Sequence, residues 1–230
     1  MPSPLLAIHS FVMEEFMNTT ESGKQSSSQV TIYEMTRIGV FTAMAIAAAV
    51  LVRFGGSVVP FSLLPLVMCL AGGILGPRPG AYSMLAYMLL GLMGLPVFAS
   101  PPYGGLAYMF TPSFGFVPGF VLGAYAVGVV SRKARSQHNL PKAHMTALLF
   151  TANTVGVLVY YAIGLPYLGV ILNVYYGQPT SVIQVLKIGF MPFIVPDLIK
   201  AFAAAAITRA VIGSFARRLA CRPASGRQAM

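Results

Sequence analysis

Long apolar stretches, interrupted by very few charges, decide what this chain can fold into. Hydrophobic residues make up 57% of its 230 residues, charged residues make up 9%, and the mean hydropathy is +0.76. A soluble domain usually carries about 25% charged residues, so this chain has too few polar groups to cover a surface that faces water. We interpret it as an integral membrane protein, and as all-α because a helix pairs its backbone polar groups within one segment.

Six segments qualify as membrane spans, each of which needs about 20 mainly apolar residues. Their approximate bounds are residues 35–54, 62–75, 80–97, 114–130, 145–163 and 190–212. Residues 1–34 are predicted to be a polar, disordered extension. Residues 35–213 form the predicted six-helix membrane domain, and residues 214–230 form a basic cytoplasmic tail.

Lysine and arginine residues indicate which side of the membrane each connection faces. The net charge is +10, and the basic residues gather after the second, fourth and sixth segments, with Arg53 as the exception. Because basic connections stay in the cytoplasm, both termini are predicted to be cytoplasmic in a multi-pass protein of the bacterial cytoplasmic (inner) membrane. The basic residues form no nucleic-acid-binding pattern, so no nucleic acid is expected as a partner.

The three connections predicted to face outward are rich in proline, glycine and aromatic residues. They read GGSVVPFSLLP, LPVFASPPYGGLAYMFTPSF and LPYLGVILNVYYGQPTS. Non-helical backbone at membrane depth persists only where protein buries it or where it lines a cavity. The pattern therefore predicts non-helical loops around a lidded pocket that opens to the outside. A belt of aromatic anchors at the lipid headgroups is the alternative interpretation.

Small residues recur at four-residue spacing along several segments. Ala43 and Ala47 line the first segment, as do Ala45 and Ala49, and glycines recur at positions 72 and 76 and at 115, 119 and 123. Such stripes let two helix backbones approach closely. We expect the glycines to pack inside the bundle, and we expect the first segment to leave an alanine face for a partner protein.

The chain shows no pattern typical of an enzyme, a metal site or a nucleotide site. The histidines, at positions 9, 138 and 144, have no acidic or cysteine partner at metal-ligand spacing. No glycine loop with a phosphate-binding lysine is present. Asp197 is the only aspartate, which excludes a paired-aspartate mechanism within this chain. We therefore predict a binding or transport protein without metal or cofactor.

The most informative polar residues are Asp197 and Lys200, in the stretch PFIVPDLIKA. An ionisable group at mid-membrane costs about 2.5 to 3.5 kcal/mol, so the two must be paired or must face a cavity. At i and i+3 they share one helix face. Pro192 and Pro196 predict a helix that is broken near its outer end and continuous from about Asp197. Two interpretations remain: a pair that only neutralises itself, or a site that binds ligand N–H groups and a ligand carboxylate or carbonyl.

Two stretches carry a resemblance to a known family. The run LAGGILGPRPGAYSMLAYMLLGLMGLPVFASPPYGGLAYMFTPSFGFVPGF, residues 70–120, and the run PFIVPDLIKA both resemble the BioY family. Members of that family are the biotin-binding S components of energy-coupling factor (ECF) transporters. The likeness covers about residues 43–205. It implies a six-helix bundle with cytoplasmic termini, and biotin as a substrate bound near the outer face, under the first outward loop.

The resemblance also implies roles for individual residues. Ala43 and Ala47 match the stripe by which S components dock onto a transmembrane coupling subunit that carries two ATPases. Asp197 and Lys200 match the family's polar pair for biotin, and residues 98–105 and 111–116 match the loop that forms its pocket. For one candidate, the polar span residue at position 160, a hydrogen bond between helices is the alternative role. The candidate substrate-binding residues are Asp197, Lys200, Phe98, Tyr103, Gly104, Gly105, Phe116 and Tyr160.

The sequence departs from the family's usual pattern around the expected pocket. Leu64 stands where glutamine is usual, Pro101 and Pro102 lie in place of a glycine run, and Phe114 lies in a turn that usually reads GPTGGY. By their chemistry, the phenylalanines of this turn suit packing on the biotin rings, and Tyr103 suits donation of a hydroxyl. An S component or facilitator for another vitamin-like ligand is the alternative function.

Overall fold

The structure, a computed structural model, describes residues 32–54, 62–136 and 141–220. The α-helices within these ranges are α1 (Ile32–Phe54), α2 (Leu64–Leu70), α3 (Pro77–Leu92), α4 (Phe116–Ser136), α5 (Lys142–Val170), α6 (Val182–Gly189) and α7 (Met191–Ala220). Short π-helical segments, Ala71–Leu75 and Ile171–Tyr175, extend α2 and α5, and a 3₁₀ helix, Leu106–Phe110, lies between α3 and α4.

Three helical stretches of the described residues are long and apolar enough to cross a membrane: Ile32–Phe54, Lys142–Tyr175 and Met191–Ser214. The stretch Lys142–Tyr175 has 34 residues, which corresponds to about 51 Å at 1.5 Å per residue, against a hydrocarbon core of about 30 Å. Shorter apolar helices are Leu64–Leu75 and Phe116–Arg132. The prediction of an all-α membrane protein is confirmed, whereas the count of six spans stays a prediction.

The chain divides by its internal contacts into residues 1–35 and residues 36–230. Of the first part the structure describes residues 32–35, which form the first turn of α1. Residues 1–31 of the predicted disordered extension, 1–34, lie outside the described residues. The second part contains the helix bundle. At its other end α7 continues to Ala220, so the predicted basic tail begins as helix.

The third outward connection is helical over residues 165–175, so the prediction of a non-helical loop is wrong for that part, and residues 176–181 are non-helical. The fifth segment was expected to end near residue 163, but α5 continues to Val170 with Pro166 inside it, and α6 follows a short turn. Pro166 would usually end a helix, but packing on both sides of it stabilises the continued helix. Gly164 accommodates the ring of Phe116, and Gly189 of α6 packs against Leu165 and Leu168. A capping box on Ser181 starts α6.

Helix α7 is continuous from Met191, so the predicted break before Asp197 is wrong. Pro192 occupies the first turn, where the missing N–H has no intrahelical acceptor in any case. Pro196 removes only one hydrogen bond inside the helix.

Helix α3 is shorter than the third predicted segment. It ends at Leu92 rather than near residue 97, and Gly94 has a φ of 102°, which a helix does not allow.

Helix α4 packs against α2, α3 and α5, and its glycines face neighbouring backbones. A Cβ on Gly119 would lie 2.9 Å from the carbonyl oxygen of Tyr160 on α5, and one on Gly123 would lie 3.0 Å from that of Gly156. Gly72 of the α2 extension faces the backbone of Ala124 in the same way. The predicted packing of these glycine stripes is confirmed. Gly76 differs, because its φ of 101° places it in the turn between α2 and α3.

Helix α1 is the least buried of the three long apolar helices. Within the bundle, the hydroxyl of Thr42 donates to the carbonyl oxygen of Ser83 on α3, at 3.0 Å. The two alanine stripes of α1 lie on different faces, because Ala45 and Ala49 are buried while Ala43 and Ala47 are exposed. The stripe expected to meet a partner protein is therefore the one that the bundle leaves uncovered.

Candidate functional site

A buried ion pair lies on α7. The Nζ atom of Lys200 lies 2.8 Å from Oδ1 of Asp197, and only 13% and 5% of the two side chains are exposed. One helical turn brings the two groups together, as their i and i+3 spacing predicts. The pair leaves no net charge in an apolar interior, which keeps both ions in a place where either alone would be costly.

Two tyrosines of α5 hold the other carboxylate oxygen. The hydroxyl of Tyr161 donates to Oδ2 of Asp197 at 2.7 Å, and the hydroxyl of Tyr160 donates to the same oxygen. Tyr160 was a candidate from its place in a span, and its hydrogen bond between helices is now seen. Tyr161 was missed. The signal was the tyrosine doublet itself, since a buried phenol requires an acceptor and Asp197 is the only acid after Glu34.

The lysine makes a second contact that links α7 to the start of α2. Its Nζ atom donates to the carbonyl oxygen of Ser62, at 2.6 Å. Ser62 precedes α2, whose first residue Leu64 is buried. A backbone carbonyl carries no sequence signal, so this partner was not predictable. Lys200 thus connects the carboxylate of its own helix with a connection that the sequence places on the outer side.

Aromatic rings surround the two tyrosines. The ring centroid of Phe116 on α4 lies 6.1 Å from that of Tyr160 and 6.2 Å from that of Tyr161. Phe120 lies 5.2 Å from Tyr160, and Phe190 lies 4.9 Å from Tyr161. These edge-on and tilted contacts fix the tyrosine rings, so their hydroxyls stay directed at Asp197.

The connection between α3 and α4, residues 93–115, carries the remaining candidates; we name it the α3–α4 loop. Phe98 is fully buried and stacks on Tyr108 with 4.0 Å between ring centroids. Gly91 of α3 gives its ring the room it needs. Gly105, with a φ of 86°, donates its N–H to the carbonyl oxygen of Gly91 at 2.7 Å, and Gly104 lies against the carbonyl of Leu95. These residues fix the loop to the end of α3.

Tyr103 has a different environment from the one expected of a hydroxyl donor. Its φ is 66°, and the guanidinium carbon of Arg53 lies 3.7 Å from the centre of its ring. Arg53 is the basic residue that breaks the charge pattern of the sequence. Its side chain also donates to the carbonyl oxygen of Pro96, at 3.2 Å. An arginine at this level is accounted for by these protein contacts.

The residues that depart from the family pattern fall at distinct places. Leu64 is buried at the start of α2, and Pro101 and Pro102 are exposed in the α3–α4 loop. Phe114 is buried, with its ring 6.3 Å from that of Tyr108 and 5.8 Å from that of Tyr167 on α5. The loop is therefore tied to α5 through aromatic contacts as well as to α3.

The structure thus places the candidates in two groups. Asp197, Lys200, Tyr160 and Phe116 come together between α4, α5 and α7, while Phe98 and Tyr103 to Gly105 lie in the α3–α4 loop. Phe98 and Tyr160 belong to one continuous hydrophobic core, against which Phe116 packs. Among the residues that the structure describes, no group of three or more His, Cys, Asp or Glu side chains could hold a metal ion.

Comparisons with known proteins decide the family. A model described as the BioY family matches residues 20–217. The chain belongs to the BioY family. The "Probable biotin transporter BioY" of Lysinibacillus sphaericus is 35% identical over 177 residues, which cover 77% of this chain and 85% of that protein. The "Biotin transporter BioY" of Thermotoga maritima is 32% identical over 175 residues, which cover 76% and 92%.

A solved structure agrees with this family assignment. The S-component for biotin from an ECF-type ABC transporter matches with a TM-score of 0.62 and 25% identity, covering 80% of this chain and 93% of that one. The resemblance to the BioY family drawn from residues 70–120 and from the stretch around Asp197 is therefore confirmed. With its long apolar helices, this BioY-family chain is a multi-pass protein of the cytoplasmic membrane.

Proposed function

We propose that this BioY-family chain binds biotin and delivers it across a bacterial cytoplasmic membrane as the S component of an ECF transporter. It acts by binding and transport, forms no covalent intermediate and uses no cofactor, since biotin is its substrate. The observation that supports a binding site most strongly is the Asp197–Lys200 ion pair, whose carboxylate accepts hydrogen bonds from the hydroxyls of Tyr160 and Tyr161. The names of the relatives and of the matching solved structure support biotin as the ligand.

Lys200 is the ligand-binding cation in this proposal. The carboxylate of Asp197 already accepts hydrogen bonds from Lys200 and from both tyrosines. Lys200 also donates to a neutral acceptor, the carbonyl oxygen of Ser62. A carboxylate is a stronger acceptor for an ammonium group than a carbonyl. The carboxylate of biotin therefore replaces Ser62 at Lys200.

The rest of the pocket follows from this orientation. The body of biotin is apolar apart from its ureido ring, which has two N–H donors and one carbonyl acceptor. Phe116 forms one wall beside the tyrosines, and Phe98, Tyr103, Gly104 and Gly105 of the α3–α4 loop form the other. The loop closes the pocket toward the outside.

The proposed membrane arrangement has six spans: α1, α2 with its extension, α3, α4, α5 and α7. Both termini are then cytoplasmic, as the basic residues predict. Ala43 and Ala47 are exposed on α1 and form the docking stripe for a transmembrane coupling subunit that carries two ATPases. Small residues at this spacing suit close contact between helices in lipid.

A binding assay on the purified protein tests the ligand. Isothermal titration calorimetry compares biotin, desthiobiotin, thiamine and riboflavin, and biotin is expected to bind most tightly. Desthiobiotin keeps the ureido ring and the carboxylate, so we expect it to bind more weakly than biotin but more tightly than the other vitamins. Preference for thiamine or riboflavin would establish the alternative vitamin. Recovery of chemically altered ligand by mass spectrometry would contradict the assignment as a transport protein.

A second assay tests the orientation. Biotinamide lacks the negative charge, so wild-type protein should bind it about tenfold or more weakly than biotin, the loss of one charge-assisted hydrogen bond. In Lys200→Met the two ligands should bind alike. Lys187→Met is the matched control, because Lys187 is an exposed lysine of α6 and its removal should keep the preference for biotin. Persistence of that preference in Lys200→Met would refute this orientation.

A further inference from the structure

Arg53 joins two parts of the protein that the sequence does not connect. It lies in the last turn of α1, and its guanidinium reaches the α3–α4 loop at two points. Nη1 donates to the carbonyl oxygen of Pro96 at 3.2 Å, and Cζ lies 3.7 Å from the ring centre of Tyr103. The two contacts use both the hydrogen-bonding edge and the flat face of the guanidinium, which only arginine provides.

We propose that Arg53 and Tyr103 are positioning residues that latch the α3–α4 loop onto the outer end of α1. In this role Tyr103 contributes its ring to Arg53, and its hydroxyl is not a ligand donor. The consequence for biotin, slower release from a closed loop, rests on the proposed function. The latch itself does not, because both of its contacts join residues of this chain.

The backbone of Tyr103 supports this role. A φ of 66° is unfavourable for a bulky residue and natural for glycine, and this tyrosine is followed by two glycines. A large side chain on backbone that is strained in this way indicates a function for that side chain. The backbone of Tyr103 also holds the loop together. Its carbonyl oxygen accepts from the N–H of Phe98 at 2.8 Å, and its N–H donates to the carbonyl oxygen of Ser100 at 2.9 Å.

The latch couples the α3–α4 loop to α1, because Arg53 lies in the last turn of that helix. The polar contacts of this helix with the bundle include Arg37 to Ile74, Thr42 to Ser83 near its middle, and Arg53 to Pro96 at its end. The α3–α4 loop therefore follows displacements of the end of α1. Since α1 also carries the exposed stripe of Ala43 and Ala47, a protein that binds this stripe would act on the loop through Arg53.

Hydrogen exchange without ligand tests the latch directly. Purified protein in lipid nanodiscs is followed by mass spectrometry over peptides of residues 93–110. Tyr103→Leu should speed exchange about two- to fivefold, the loss of one exposed cation–π contact. Arg53→Met should speed it at least as much, because it also removes the hydrogen bond to Pro96. Tyr103→Phe keeps the ring and should match wild type, as should Lys187→Met, which removes an exposed basic charge elsewhere. Unchanged exchange in both latch variants would overturn the proposal, as would equal effects of Tyr103→Phe and Tyr103→Leu.

Kinetics with biotin test the consequence. Arg53→Met and Tyr103→Leu should raise the dissociation rate of biotin about two- to fivefold while the association rate changes less. The double variant should release biotin no faster than Arg53→Met alone, because Arg53→Met already removes the contact with Tyr103 together with the hydrogen bond to Pro96. Multiplicative effects in the double variant would overturn the latch. A wild-type protein that binds no biotin would refute the proposed function, and the exchange result would still decide the latch.

Discussion

Replacing Asp197 with asparagine is the sharpest perturbation that the structure offers. The carboxylate accepts from Lys200 at Oδ1 and from two tyrosine hydroxyls at Oδ2. An asparagine keeps the shape and one acceptor, but its amide nitrogen is a donor and it has no charge. The change thus removes the carboxylate that pairs with Lys200, whose side chain is only 13% exposed, and it leaves the contact of Lys200 with the neutral carbonyl oxygen of Ser62.

The size of the effect follows from these contacts. Removing one partner of a buried ion pair costs about 3 to 5 kcal/mol, part of which lowers the stability of the protein. The part that concerns biotin is the charge-assisted hydrogen bond to a correctly held ammonium group, about 1.5 to 3 kcal/mol. At 1.4 kcal/mol per tenfold, Asp197→Asn should weaken biotin binding roughly 10- to 100-fold.

The assay compares this variant with a change that removes no charge. Phe116→Leu removes two edge-on ring contacts, to Tyr160 and Tyr161, each worth about 0.5 to 1.5 kcal/mol as an aromatic pair. Leucine still fills that wall of the pocket, so only part of this loss affects the ligand, and biotin binding should weaken by less than about tenfold. Calorimetric titration with biotin measures both, and circular dichroism confirms that both variants are folded. Equal or tighter binding by Asp197→Asn, or a larger loss in Phe116→Leu, would refute the role given to the ion pair.

Three further predictions concern the tyrosine pair, the bundle and the docking stripe. Tyr161→Phe should lower stability by about 1.5 kcal/mol, the loss of one hydrogen bond to a charged group, measured by thermal unfolding; an unchanged melting temperature would contradict it. Gly119→Ala should destabilise, because its Cβ would lie 2.9 Å from a backbone oxygen, whereas a Cβ at Gly213 meets no atom within 4 Å. Gly213→Ala in the same assay should therefore be neutral or stabilising. Changing Ala43 and Ala47 to tryptophan should abolish co-purification with the coupling subunit and keep biotin binding; retained co-purification would contradict the docking stripe.

Features fixed by local chemistry were predictable from the sequence. Asp197 and Lys200 were expected to pair or to face a cavity because each is costly alone in an apolar environment, and their spacing allows the contact that is seen. The glycines of α4 were expected to pack inside the bundle because no larger residue permits so close an approach of two helices. Both inferences needed only the residues themselves and the low polarity of the surroundings.

Features that depend on the partner of a segment were not predictable. The proline at position 166 is usually a helix-ending signal, and α5 passes through it because packing between Gly164 and Phe116, and between Leu168 and Gly189, stabilises the continued helix. The contact of Lys200 with the carbonyl oxygen of Ser62 joins positions that are far apart in the chain. Neither the packing partner nor a backbone acceptor can be identified from periodicity.

The contact between Asp197 and Lys200 also bears on whether the pair only neutralises itself or binds a ligand. An unpaired ammonium group is costly in the apolar interior, so pairing is what keeps a cation available inside the bundle. The lysine has three donors, and one of them is given to the neutral carbonyl of Ser62. An anion can exchange with that carbonyl while the ion pair stays intact, whereas a neutral ligand would gain little from the exchange. Self-neutralisation and ligand binding are therefore compatible, and the first is the condition for the second.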